Sequence, residues 1–99
     1  MEAKIHAIHF DASDQLQAFI AKKTAKLEKF SEEIGKVEVS LKVVKPETSL
    51  NKYAGIRVSV PGEDLFAEKI CDSFEEAVDL SIDALVKQIQ KYKEKQRSK

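Results

Sequence analysis

The 99-residue sequence contains no tryptophan, one cysteine, two prolines and three glycines. A single cysteine rules out an internal disulfide and leaves no thiol cluster for structural zinc. Cys71 reads as a small, semi-buried apolar residue near the start of a helix rather than as a reactive thiol. The few glycines are dispersed, which excludes a glycine-rich phosphate loop. No run of 18 apolar residues is present, so no segment reads as a membrane-spanning helix. The first ten residues, MEAKIHAIHF, lack the basic start, long apolar stretch and cleavage site of a secretion signal, and a cytoplasmic location is expected. Excess charge is also missing, because 17 Lys and Arg face 17 Asp and Glu.

What the sequence does have is patterning suited to one domain, residues 1–99, with a modest core. Ala3 to Phe10 is apolar-rich and suits a first strand. Asp11 or Ser13 then caps a helix running from Ser13 to about Phe30, with Leu16, Ile20, Lys23, Leu27 and Phe30 on one stripe and Phe19 beside it. Lys36 to Lys45 alternates as a strand, with Val37, Val39, Leu41 and Val43 on one face. Pro46 ends it, and PETSLN reads as a loop. Lys52 to Val60 alternates again, with Tyr53, Arg57 and Ser59 opposite its apolar side. Pro61-Gly62 makes a turn, and Asp64 to Ile70 forms a short fourth strand. A last helix begins near Asp72 or Ser73, each with a glutamate three residues on, and carries the stripe Val78, Ile82, Leu85, Ile89 and Tyr92. The residues after Tyr92, from about 93 to 99, read as a basic tail that projects or frays.

The implied fold class is α+β in the order β-α-β-β-β-α. Two helices cover one face of a four-stranded, mostly antiparallel sheet, and the first crossover permits one parallel pair.

Zero net charge hides a separation along the chain. Asp72 to Asp83 holds five acids and no base, whereas Leu85 to Lys99 holds six bases and one acid. The helix dipole favours this order, but its effect fades within a turn of each end. Lys87, Lys91 and Lys95 form an i,i+4 row, and Lys22, Lys26 and Lys29 line one flank of the first helix beside Ala18, Ala21 and Ala25. Helices lying side by side would let the two rows border one surface of phosphate-backbone scale; ordinary solvated helix faces are the competing account. Lys23 lies within the apolar stripe, where its stem packs and its ammonium reaches the domain edge.

No catalytic constellation accompanies these features, and an enzyme is not expected. His6 and His9, three apart in a strand, face opposite sides and make a poor metal pair. Glu75, Glu76, Asp79 and Asp83 have helical spacing but no histidine or other base, which fits capping and solubility. No cofactor, small-molecule substrate or membrane partner is called for.

The second helix, AVDLSIDALVKQIQKYKEK, resembles the C-terminal helix of the ribosome hibernation promoting factors, also called ribosome-associated inhibitor proteins. The resemblance sits on Ala77, Val78 and Asp79, on Ile82, Asp83 and Leu85, on Lys87, Gln88 and Ile89, and on the ladder Lys91, Lys93 and Lys95. In the first helix, Lys23, Lys26, Leu27 and Glu28 match the family's lysine-rich segment. Where family members often carry an aromatic and a lysine, this chain has Glu75 and Ala84, so the start of its second helix is more acidic.

The resemblance implies a fold like the double-stranded RNA-binding domain. It also implies binding to the small ribosomal subunit of bacteria, in the channel used by messenger and transfer RNA, with translation silenced in stationary phase or stress. It points to the short type, a single ribosome-binding domain for which a separate factor dimerises ribosomes in some bacteria. Lys22, Lys23, Lys26, Lys29, Lys87, Lys91, Lys93, Lys95 and Arg97 are then the expected contacts to ribosomal RNA, with Arg57, Tyr53 and Tyr92 as stacking or edge contacts. The alternatives are a structured or double-stranded RNA-binding module not specific to ribosomes, and a protein-interaction domain with a basic tail.

Overall fold

Val37, Val39 and Leu41 alternate with Glu38, Ser40 and Lys42, and this period of two puts the first set wholly inside and leaves the second on the opposite face. In the structure, a computed structural model, residues 2–44 and 50–97 are described; the side chains of residues 2, 96 and 97 lie outside the description. The strands are β1 (Glu2–Ala7), β2 (Lys36–Val43), β3 (Lys52–Val60) and β4 (Glu63–Cys71), and the helices are α1 (Asp14–Ala25) and α2 (Phe74–Arg97). The sheet order is β1-β2-β3-β4. β1 and β2 are parallel across the α1 crossover, and the other two pairs are antiparallel.

Several expected boundaries move for local reasons. β1 stops at Ala7, short of Phe10, because His9 takes a left-handed backbone (φ 65°) that breaks the strand. Phe10 is thereby freed to stack on Phe74 at 5.0 Å, and His9 is a turn residue instead of a partner of His6 across a strand. Ser13, and not Asp11, caps α1, its Oγ accepting from the Leu16 amide at 3.1 Å. α1 ends at Ala25, and a 3-10 turn, Lys26–Lys29, replaces its expected last turn. Just before it, the Thr24 hydroxyl donates back to the Ile20 carbonyl at 2.9 Å, a local bond that bends helices.

β2 ends at Val43, before Lys45, and the Val44 amide donates to the Asn51 carbonyl at 2.8 Å to close the hairpin. Residues 46–49 of the expected PETSLN loop fall outside the described residues. β3 keeps its expected limits, and Gly62 (φ 89°) makes the turn into β4. β4 is longer than expected, nine residues, because it pairs with all of β3. Cys71 therefore closes a strand and does not open a helix; it is buried, and burial pushes its thiol pKa up.

Ser73 caps α2, accepting from the Glu76 amide at 3.2 Å. The helix continues past its last buried residue, Tyr92, to Arg97, so residues 93–97 of the expected tail are helical; Ser98 and Lys99 lie outside the described residues. Both helices pack on one face of the sheet. Ile20 and Leu27 from the first helical segment meet Val78, Ile82, Leu85 and Ile89 over Val39, Ile56 and Val58, all at 0% exposure. Each such side chain contributes about 1.5–3 kcal/mol by leaving water. No helix among the described residues is long and apolar enough to cross a membrane.

Candidate nucleic-acid interface

The two helices run in the same direction. Phe10 meets Phe74 at their starts, Lys23 lies 3.0 Å from Asp79 further along, and the Tyr92 hydroxyl donates to Glu33 at 3.2 Å near their ends. Parallel packing sets the start of the α1 lysine row level with Asp79 and brings its last member, Lys29, beside Lys93 of α2. Lys22, Lys26 and Lys29 are exposed, and the 3-10 turn nearly eclipses the last two. Lys87, Lys91, Lys93 and Lys95 are exposed on α2, while Arg97 is its last residue.

The two rows do not border one another along their whole length. Gln88 donates to the Phe66 carbonyl at 2.8 Å and Lys95 lies 3.9 Å from Glu63, so the Lys87–Lys91–Lys95 row drifts toward the β4 edge. Lys93 is the residue that meets the first helical segment, since it and Lys29 line one cleft of about 610 Å³ together with Glu28, Glu32 and Glu33. A smaller cleft of about 260 Å³ lies on the other flank, between Lys91, Lys95 and Glu63. These glutamates inside a basic region were not foreseen; Glu63 could have been found from the Pro61-Gly62 turn, which returns the chain beside the end of α2.

Lys23 has a structural partner. Its ammonium pairs with Asp79 and lies 5.5 Å from the Phe19 ring centroid, with about a third of the side chain exposed. Tyr92 does not serve as a stacking residue, because it is only 4% exposed. Its hydroxyl donates to the Pro61 carbonyl at 2.9 Å, and burial first, then the Glu33 carboxylate, pushes its pKa up. It anchors the basic half of α2 from below.

Tyr53 and Arg57 are on the sheet face opposite the helices and so stand apart from the lysines. The Tyr53 hydroxyl donates to Glu68 at 2.6 Å, and burial plus that bond push its pKa up to about 12. Lys42 and Phe66 join them there, which strand alternation in β2 and β4 could have indicated. The candidate residues thus form two surfaces, a lysine-rich one on the helices and an aromatic one on the open sheet.

Comparison with known proteins agrees over almost the whole chain. Residues 3–97 match the family model described as Sigma 54 modulation protein / S30EA ribosomal protein. The ribosome hibernation promoting factor of Escherichia coli (strain K12) is 32% identical over 100 residues, covering 96% of each chain. That of Pseudomonas putida is 29% identical over 98 residues, covering 99% of this chain and 92% of its own. A solved ribosomal subunit interface protein from Coxiella burnetii superposes with a TM-score of 0.83 at 25% identity, over 94% of this chain and 98% of that one. The N-terminal domain of Thermus thermophilus Protein Y shares the fold, with a TM-score of 0.77 at 21% identity over 90% and 94% of the two chains. With the element order, the parallel helices and a match from residue 3 to residue 97, the chain belongs to the Sigma 54 modulation protein / S30EA ribosomal protein family.

Proposed function

We propose that this domain is a ribosome hibernation factor that occupies the RNA-lined channel of the small subunit and excludes messenger and transfer RNA. The observation that carries the reading is the pair of exposed lysine rows on two parallel helices, meeting at Lys29 and Lys93, in a family fold whose relatives bear that name. Occlusion needs no bond chemistry: a folded body in the channel competes sterically with the RNA that normally passes there. Lys22, Lys26, Lys29, Lys87, Lys91, Lys93 and Lys95 contact phosphates in this reading, with Lys23 and Arg97 at its margins. Phosphate contacts are blind to sequence, so the shape of the channel supplies the specificity. The place of action is the bacterial cytoplasm, on ribosomes.

Co-sedimentation with purified bacterial 70S ribosomes across a salt series tests this. The wild type is expected to bind stoichiometrically and to weaken as salt rises. K87E/K91E/K95E, with an unchanged melting curve, is expected to lose binding by a hundredfold or more, on the order of what several lost phosphate contacts amount to. Absence of wild-type binding at low salt overturns the ribosomal reading. Equal affinity for an isolated RNA duplex favours a general double-stranded RNA module instead.

A further inference from the structure

The sheet face turned away from the helices carries its own arrangement of cations and rings. Lys42 is opposite Tyr53 and Tyr53 opposite Ile70, while Glu38, Arg57 and Phe66 align in a row four residues further along the strands. The Lys42 ammonium sits 4.8 Å from the Tyr53 ring centroid, and the Arg57 guanidinium 5.7 Å from that of Phe66. Gly55 lies between the two rows. A Cβ there would come within 2.5 Å of Tyr53 Oη and 3.2 Å of Phe66 Cζ, so both rings converge over bare backbone.

The nearby acids already have partners. Glu68 accepts from Tyr53 and Glu38 lies 3.1 Å from Lys36, whose bond and charge lower the Glu38 pKa. Lys42 and Arg57 form no ion pair within 4.0 Å among the described residues, although the Arg57 charge also acts on Glu38, its neighbour across β2. Phe66 and Ile70 stay 43% and 51% exposed.

We propose that this open face binds an unpaired RNA segment, with bases stacked on the Tyr53–Phe66 surface and flanking phosphates held by Lys42 and Arg57. Aromatic side chains flanked by cations recognise single strands, because every base offers a π-face once it is unstacked from its neighbours. A duplex hides those faces, which sets this surface apart from the lysine-rich one across the sheet. The inference goes beyond the ribosomal reading and stands without it.

The test is a titration of the isotope-labelled full chain with an oligouridine of about six nucleotides, a length within the range of single-strand sites, followed by amide shifts. Shifts centred on Tyr53, Gly55, Arg57 and Phe66 are expected, and they persist in K87E/K91E/K95E. Phe66→Leu, which keeps an apolar side chain but no ring, is expected to weaken binding about tenfold, within the range for one lost stacking contact. Gly55→Ala displaces the Tyr53 ring without removing charge and is expected to do the same. Shifts confined to α1 and α2, no shifts, or wild-type affinity in both folded variants overturn the proposal. The wild-type shift map decides the face even if a variant fails to fold. Co-sedimentation with 70S ribosomes, run in parallel, reads the ribosomal proposal separately.

Discussion

The first and second halves of α2 share one buried stripe and carry opposite charge. Ala77, Val78 and Ile82 hold the first half to the core, and Leu85, Ile89 and Tyr92 hold the second in the same way. On the exposed side the first half presents Glu75, Glu76 and Asp83, and the second presents Lys87, Lys91, Lys93 and Lys95. The buried stripe therefore accounts for where the helix lies and leaves the charge unexplained. The dipole explains Glu75 and Glu76 in the first turn, but Lys87 stands about three turns before Arg97, beyond the reach of a terminal field. The difference is what the proposed function calls for: on that reading the basic half contacts polyanions and the acidic half keeps the rest of the surface from doing so.

The most forceful way to break this contrast is to make both halves basic. E75K/E76K/D83K replaces three exposed carboxylates, so the fold is expected to survive, at a cost of about 0.3–1 kcal/mol for each first-turn acid lost. Affinity for an unrelated RNA duplex is expected to rise tenfold or more at low salt. Each added phosphate contact should steepen the plot of log affinity against log salt by about 0.7–0.9. Fluorescence anisotropy over a salt series reads both quantities. An unchanged slope would mean that the acidic half does nothing to restrict RNA contact.

A smaller effect is expected from loosening the basic half alone. Tyr92→Phe removes the hydroxyl whose single proton is shared between the Pro61 carbonyl and Glu33, with a loss of about 1–2 kcal/mol. Hydrogen exchange should then speed up after Leu85 and stay unchanged around Val78. Uniform acceleration along α2 would show that the two halves open together and that Tyr92 is no separate anchor.

Much of this was legible from periodicity. The β3 limits, the single-sided helices and the α2 stripe follow from spacings of two, three and four, because burial repeats with the backbone. What was missed depends on contacts between distant segments. His9 leaves the strand so that Phe10 can reach Phe74, and Tyr92 is drawn inside by Pro61 and Glu33, partners that no local pattern reveals. The lysine rows were legible as rows. Their drift apart was not, because Lys95 turns toward Glu63 and Lys93 toward the Lys29 cleft only once the sheet edge is in place.

The finest test of the contrast sits where the acidic half meets a base. Lys23 and Asp79 are 3.0 Å apart, each partly open to water, so the pair contributes only about 0.2–1 kcal/mol. Asp79→Asn is therefore expected to lower the melting temperature by no more than a few degrees. Its effect on ribosome affinity separates two roles for Lys23. If the ammonium only fastens α1 to α2, affinity follows stability and barely changes. If it also reaches phosphate, release from Asp79 adds one cation to the row of Lys22, Lys26 and Lys29, and binding at low salt tightens several-fold while stability falls. Opposite signs in the two measurements would place Lys23 in the contact surface, and would show that the acidic half of α2 limits RNA binding through a specific pair as well as through its overall charge.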